Sequence, residues 1–220
     1  QGTLYLEKLL QLILTCVTTG HAFGFNRAML FLINKEENIL QGKLAVGPSN
    51  PEEANRIWNE ISSKYGTLEE ILDAVDYDND FDNTLSTMTR EMKFLLTDTR
   101  EIVVSCAREK NSIIVVDAAH DPRLSENFRN ALGAKEFVCV PLIVRNESMG
   151  VIVADNIYTG TPITEDLVNV LSMFANQAAL AIENAETYKK LKNKVKQLTR
   201  TQELLVRSEK FAAIGSMASY

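Results

Sequence analysis

The densest group of reactive side chains in the chain is Asp117, His120, Asp121 and Arg123, which follow a short apolar run. A histidine between two carboxylates has the donor types of a metal site. An imidazole beside a carboxylate is also a pH-sensitive contact, because it titrates near neutrality. The same residues read equally as turn chemistry, with Asp121-Pro122 starting a turn and Asp117 capping local N–H groups. Turn chemistry is the simpler reading, and no metal is assigned. Asp76, Asp78 and Asp80 alternate like the first ligands of a calcium loop. The position that needs glycine is Phe81, and the closing acidic position is Thr87, so the motif fails. A solvated acidic loop over Asp76 to Asn83 is expected instead. Cys16, Cys106 and Cys139 are far apart, with no zinc-knuckle or redox spacing. They fall on apolar, regular segments, which predicts buried reduced thiols and argues against a thiol nucleophile. There is no Gly-rich phosphate loop and no supported Ser–His–Asp arrangement. No catalytic residue is assigned.

The composition narrows the partners. The formal net charge is −6, so the chain has no general electrostatic pull toward nucleic acid. Hydrophobic residues make up 45%, enough for a sizeable core. The longest apolar run, Ala28 to Ile33, is far short of the roughly 20 residues of a membrane helix. No signal peptide opens the chain, and no membrane contact is expected of it. It begins with Gln1, so it is read as part of a larger protein, cytoplasmic here, whose parent can still be membrane-anchored.

These residues must be positioned by regular elements. Leu6, Leu9, Leu10, Ile13, Leu14 and Val17 recur three and four apart, one stripe of a helix that Gly20 ends. The period then changes. Arg27 to Ile33 and Leu40 to Val46 predict an antiparallel hairpin around a short polar turn. Asn50 caps the next helix, with Pro51 at its first position and Ala54, Ile57, Trp58 and Ile61 as its buried face. Thr67 and Glu70 form a capping box for a short helix carrying Leu68 to Val75. Leu85 to Leu96 fits helix and strand equally. Thr99 to Lys110 reads as a helix and Ser112 to Val116 as a buried strand. Glu136 to Val144 and Ser148 to Ala154 predict a second hairpin. Pro141 lacks an N–H and belongs at an edge or a bulge.

Thr164 opens a final helix whose inner face carries Leu167, Leu171, Phe174, Ala178 and Ile182. No Pro or Gly follows until Gly215, so one helix can run past Lys210, about 70 Å at ~1.5 Å per residue. That is too long for the domain, and the part beyond Ala185 must leave it. Tyr188, Leu191, Val195, Leu198, Gln202 and Leu205 then form a coiled-coil seam, with Gln202 weakening it and fixing its register. A parallel homodimer is expected. The lysines between Lys189 and Lys196 are its solvated outside. After Leu205 the phase shifts to Phe211, Ile214 and Met217.

Two segments carry a resemblance to known families. Val138-Cys-Val-Pro-Leu142 with Met149-Gly-Val-Ile-Val153, and Ile114-Val-Val-Asp117 with its Asp121-Pro122 loop, resemble the late strands of GAF domains. The order of elements matches over about Leu4 to Ala185. Glu209 to Ala218 resembles the lead-in to the phosphoacceptor box of sensor histidine kinases, whose histidine would come just after this run. His21 and His120 do not occupy that position. The resemblance implies an α+β fold: a GAF-like central antiparallel sheet flanked by helices, with long N- and C-terminal helices, the latter a coiled coil. The domains are then a leading helix at 1–20, a GAF-like sensory domain at 21–185, a signalling coiled coil at 186–210 and the truncated start of a dimerisation helix at 211–220.

The implied function is signal input to a two-component histidine kinase, whose full protein would use ATP and a response regulator. A ligand-free relay domain stays open, as does a GAF module feeding a cyclase or transcription activator. A third alternative is a thiol-based redox enzyme. Such domains commonly hold a small molecule between sheet and helices. Strand and loop position nominates Met29, Phe31, Asp117, His120 and Cys139 as its contacts, although Met and Phe in strands also read as plain core. The ligand's identity is open. Haem would rest on His21 or His120, and a bilin would need a reactive cysteine beside the pocket. The sequence requires no cofactor.

Overall fold

A computed structural model describes residues 2–18, 24–55 and 84–217, with side chains placed over 6–18, 24–55, 84–205 and at 207. The expected helix stop at Gly20, His21, the buried face at Ile57, Trp58 and Ile61, the helix over Leu68–Val75 and the acidic loop Asp76–Asn83 lie outside the described residues. So do the side chains of Phe211, Ile214 and Met217.

Helix α1 (Gly2–Thr18) leads into a hairpin of β1 (Arg27–Asn34) and β2 (Ile39–Val46). In the turn, Asn34 Oδ1 accepts the N–H groups of Glu36 and Glu37 at 3.1 and 3.2 Å, closing the loop with a side chain. Residues 51–55 are helical, and Asn50 caps them as expected, its Oδ1 accepting the Glu53 N–H at 2.8 Å. From residue 84 onward come α2 (Thr84–Glu91), β3 (Lys93–Leu95), α3 (Ile102–Glu109), the short edge strand β4 (Ile113–Val115) and α4 (Glu126–Leu132). The hairpin of β5 (Phe137–Val144) and β6 (Glu147–Asp155) precedes the 53-residue α5 (Glu165–Met217). Arg145 and Asn146 both carry positive φ, as a two-residue hairpin turn matched to the sheet twist requires.

Among the described residues the sheet has six strands in the order β3-β2-β1-β6-β5-β4, and every pairing is antiparallel. Period-two alternation sends side chains to two cores. Ala28, Leu30, Val138, Val140 and Ile152 meet α1 and α5 on one face. Met29, Phe31, Phe137, Cys139 and Val153 meet α2, α3 and α4 on the other. Helices on both faces explain why the central strands are apolar without polar alternation.

Helix α2 lies very close to β2. A Cβ on Gly42 would sit 1.7 Å from the Thr89 carbonyl oxygen, so only glycine lets the two backbones meet there. The Gly42 N–H donates to Met92 O, and the Ala45 N–H to Ser86 Oγ, which tie the pair together.

Across the sheet, α5 presents Leu171, Ala175, Ala178, Ala179 and Ile182 to β5, a contact made largely of alanines. Thr164 caps α5, its Oγ1 accepting the Leu167 N–H at 3.3 Å. Burial ends at Ala185, and from Tyr188 the described apolar side chains of α5 are exposed.

Several expectations change. Leu85–Leu96 is both helix and strand, α2 followed by β3. Helix α3 starts at Ile102 rather than Thr99. The strand at Ser112–Val116 is shorter and only partly buried; it lies at the sheet edge, and Val116 is 68% exposed. Helix α4 was not expected at all. Pro141 lies in β5, second from the edge, and β4 pairs only with 137–139, so β4 needs no N–H from it.

One ion pair ties the start of β1 to the end of β6. Arg27 and Asp155 are register partners, and Nη2 lies 2.7 Å from Oδ2 with both side chains buried. Arg27 Nε also donates to Asp155, and its Nη2 to the Leu132 carbonyl at the end of α4. Beside it, Asn26 Oδ1 accepts the N–H groups of Tyr158 and Thr159, each at 2.8 Å. Replacing Arg27 by Met leaves a buried carboxylate unpaired and is expected to cost about 3–5 kcal/mol in denaturant unfolding. The double change Arg27→Met with Asp155→Leu should recover most of that loss.

Candidate functional site

The sheet face under α2, α3 and α4 carries four interlocking rings. Phe94 and Phe128 meet edge to face at 5.3 Å between centroids. Phe31 lies 5.8 Å from Phe94 and 6.2 Å from Phe128, and Phe128 lies 6.3 Å from Phe137. Tilted and T-shaped contacts of this kind suit the ring quadrupoles. An open groove of about 570 Å³ lies over Phe94 and Phe128. That volume falls in the range of small-molecule sites. Met88 from α2, Met92 and Leu95 give it apolar walls. Glu91, Asp98 and Glu101 line it with carboxylates, against the single amine of Lys93. The groove can therefore take a body that is apolar in part and carries a cation or hydrogen-bond donors.

The five nominated contacts do not converge. Met29, Phe31 and Cys139 are buried within the core beneath the helices. Asp117 and His120 lie on the surface loop after β4, 51% and 85% exposed. There His120 Nδ1 is 2.9 Å from Asp117 Oδ2, and this hydrogen bond holds the Asp117 carboxyl below its usual range.

Asp121 makes a local turn. Its Oδ1 accepts the Arg123 N–H at 2.9 Å, and Oδ2 pairs with Arg123 Nη2 at 2.7 Å. Arg123 lowers the Asp121 carboxyl below its usual value of 3.8. Arg129 of α4 then fastens the whole loop, donating to the carbonyls of Ala118, Asp121 and Leu124. The loop is turn chemistry held by a guanidinium. Among the described residues no three or more His, Cys, Asp or Glu side chains cluster as a metal ion would need.

None of the three cysteines is in a disulfide. Cys106 and Cys139 are buried, but Cys16 is only half-buried, against expectation. Burial pushes all three thiols up, so none is poised as a thiolate.

Sequence reasoning missed the groove because its lining comes from separate segments. Phe94 sat in a stretch of mixed period, and Phe128 belongs to the unexpected α4. A signal for α4 was present. Ser125 precedes it, and Gly133 follows in the left-handed conformation, the usual brackets of a short helix.

Helices on both faces of an antiparallel sheet, with a groove beside the short helices, define an α+β sandwich. Residues 6–182 match the GAF domain family, and the chain belongs to it. Solved structures agree in fold. A methyl-accepting chemotaxis protein fragment, residues 122 to 287, superposes with a TM-score of 0.57 at 19% identity, covering 84% of this chain and 92% of that one. A GAF domain/HD domain protein from Geobacter sulfurreducens gives 0.55 at 10% identity, over 83% and 94%. The second GAF domain of DevS from Mycobacterium smegmatis gives 0.51 at 11%, over 83% and 99%. No curated protein is significantly similar to the chain. No described helix is long and apolar enough to cross a membrane.

Two outcomes follow. Near pH 8, thiol reagent should label at most Cys16 in the folded chain, with Cys106 and Cys139 reacting only in denaturant. The contribution of Asp121 is full above its unfolded value near 3.8 and is lost as pH falls through its lowered folded value. Acid titration of stability should therefore flatten in Asp121→Asn relative to the unaltered chain.

Proposed function

We propose that this chain is the signal-input region of a sensor histidine kinase. A small molecule occupies the groove over Phe94 and Phe128, and α5 carries the result to a kinase beyond residue 220. The observation that supports this most is the continuity of packing from groove to helix. Phe128 in the groove floor packs on Phe137 of β5, and the opposite face of β5 rests on the alanine-rich side of α5. Occupation of the groove bears on Phe128 and so on the strand that supports the exported helix. The signal can be no larger than the ligand's differential affinity for the two arrangements.

The tail supports the output half of the reading. Tyr188, Leu191, Val195, Leu198 and Leu205 are exposed at coiled-coil spacing, with Gln202 among them. An isolated helix with this stripe lacks a partner, and pairing in parallel with a second copy supplies one. On this reading residues 186–210 are the signalling coiled coil, and 211–220 begin the dimerisation helix of the kinase. Met29, Phe31 and Cys139 then support the groove from beneath, while Asp117 and His120 offer a separate surface contact. A response regulator is the downstream partner of the full protein. The fold relatives include a chemotaxis protein and an HD-domain protein, so a different output is the second reading. It differs only beyond residue 220.

Native mass spectrometry of the chain tests both halves. The expected result is a dimer mass, with retained small molecule or a thermal shift against a metabolite panel. Met88→Trp narrows the groove from its rim and should abolish the ligand shift while leaving the dimer intact. A monomer at micromolar concentration would overturn the tail reading. A dimer that no metabolite stabilises would favour a ligand-free relay.

A further inference from the structure

The groove over Phe94 and Phe128 carries an uneven balance of charge. Its apolar side is open to solvent, with Met88 37% and Leu95 60% exposed. Three carboxylates from separate segments share the lining. Glu91 stands at the end of α2, and Asp98 and Glu101 on the turn before α3. The Glu101 N–H donates to the Asp98 carbonyl, which holds those two on one turn. Two cations oppose the three carboxylates. Lys93 lines the groove, and Arg100 donates to Asp98 through Nε at 3.2 Å. One negative charge is left over.

The donors that an anion would need are used elsewhere. Glu101 Oε2 accepts the Ser125 N–H at 3.4 Å, so the chain's own carboxylate already sits at the amide that precedes α4. Arg90, Arg108 and Arg129, one on each short helix, donate to backbone carbonyls. We infer that the groove takes a small organic ammonium ion, one positive charge on an apolar body, and turns away ligands whose charge is a phosphate or carboxylate. This rests on the groove being the ligand site, as proposed above, and adds the class of ligand. The apolar body lies against Met88, Met92 and Leu95, where unbranched thioether side chains adapt to its shape. The ammonium faces Glu91 and Glu101, while Asp98 stays with Arg100. One surplus negative charge suits one cation, and a polyamine would bring charge that the lining does not balance.

Glu101 then has two partners to serve. One is the amide ahead of α4, and the other is the bound ammonium. A ligand that draws on this carboxylate acts on the start of α4, the helix that sets Phe128 against Phe137.

Three probes with one body and different charge test this: phenethylammonium, phenethyl alcohol and phenylacetate. The full 220-residue chain, isotope-labelled at its six methionine methyl groups, is titrated with each and followed by NMR. Met88 and Met92 report the groove, and Met149 and Met173, which do not line it, are controls. The expected result is that phenethylammonium moves the Met88 and Met92 signals with a Kd about five- to tenfold below that of the alcohol, as two partly exposed ion pairs would give. Phenylacetate should move neither. Glu91→Gln with Glu101→Gln should erase the difference between ammonium and alcohol while leaving the alcohol's Kd unchanged. The Glu101 change keeps an oxygen for the Ser125 N–H, so α4 stays in place. A difference that survives both substitutions would overturn the inference. So would equal affinity for ammonium and alcohol, or tightest binding of phenylacetate, and either would leave the groove standing as the ligand site. Absence of any shift at Met88 and Met92 with all three probes would overturn the inference as well. The groove reading falls with it only if the metabolite panel also yields no thermal shift that Met88→Trp abolishes.

Discussion

The buried pair of Arg27 and Asp155 is the constraint on which the rest of the domain depends. A guanidinium and a carboxylate removed from water are tolerated only when nearly every donor and acceptor is used. Here Arg27 joins β1 to β6 and reaches the last carbonyl of α4, while Asp155 Oδ1 also takes the Ile157 N–H. Burial pushes the Asp155 carboxyl up, and Arg27 opposes that shift. The pair sits where three things meet: the middle of the sheet, the helix that supplies Phe128, and the chain that turns toward α5. Its geometry fixes the register of β1 on β6, and through that register it decides which residues face which core.

That division between cores sets the frame for the proposed function. Among the described residues, the short helices on one face leave an open groove. The long helix on the other face packs along its side and continues outward. The sheet lies between them, and β5 touches both sides through alternate residues. On the proposed reading, a change at one face reaches the other through that strand.

Much of this architecture was legible in the sequence. The central strands were clear because helices cover both of their faces, which leaves apolar runs such as Arg27 to Ile33. The final helix was clear because neither Pro nor Gly interrupts it before Gly215. Helix α4 set no period, since only Phe128 and Leu132 of its residues are buried, and its trace in the sequence is the bracket of Ser125 and Gly133. Leu85 to Leu96 stayed ambiguous for a definite reason. The chain changes from helix to strand within it, pivoting on the Gly42 contact that no local pattern reveals. The candidate site suffered most. Strand position pointed to Met29, Phe31 and Cys139, which lie in the core on the same side of the sheet as the groove but are buried. The residues that line the groove are brought together by tertiary packing alone.

The alanines on the inner side of α5 have a mechanical consequence. Large side chains interlock, and a helix seated on them can move only by jumping between notches. Ala175, Ala178 and Ala179 present low ridges to β5. A surface of that kind resists separation, because contact is close, but offers little resistance to sliding or rolling. Leu171 and Ile182 are then the side chains that key the helix to the sheet. On the proposed reading, larger residues at the alanine positions would lock the helix in place, leaving a domain that folds but passes on a weaker signal.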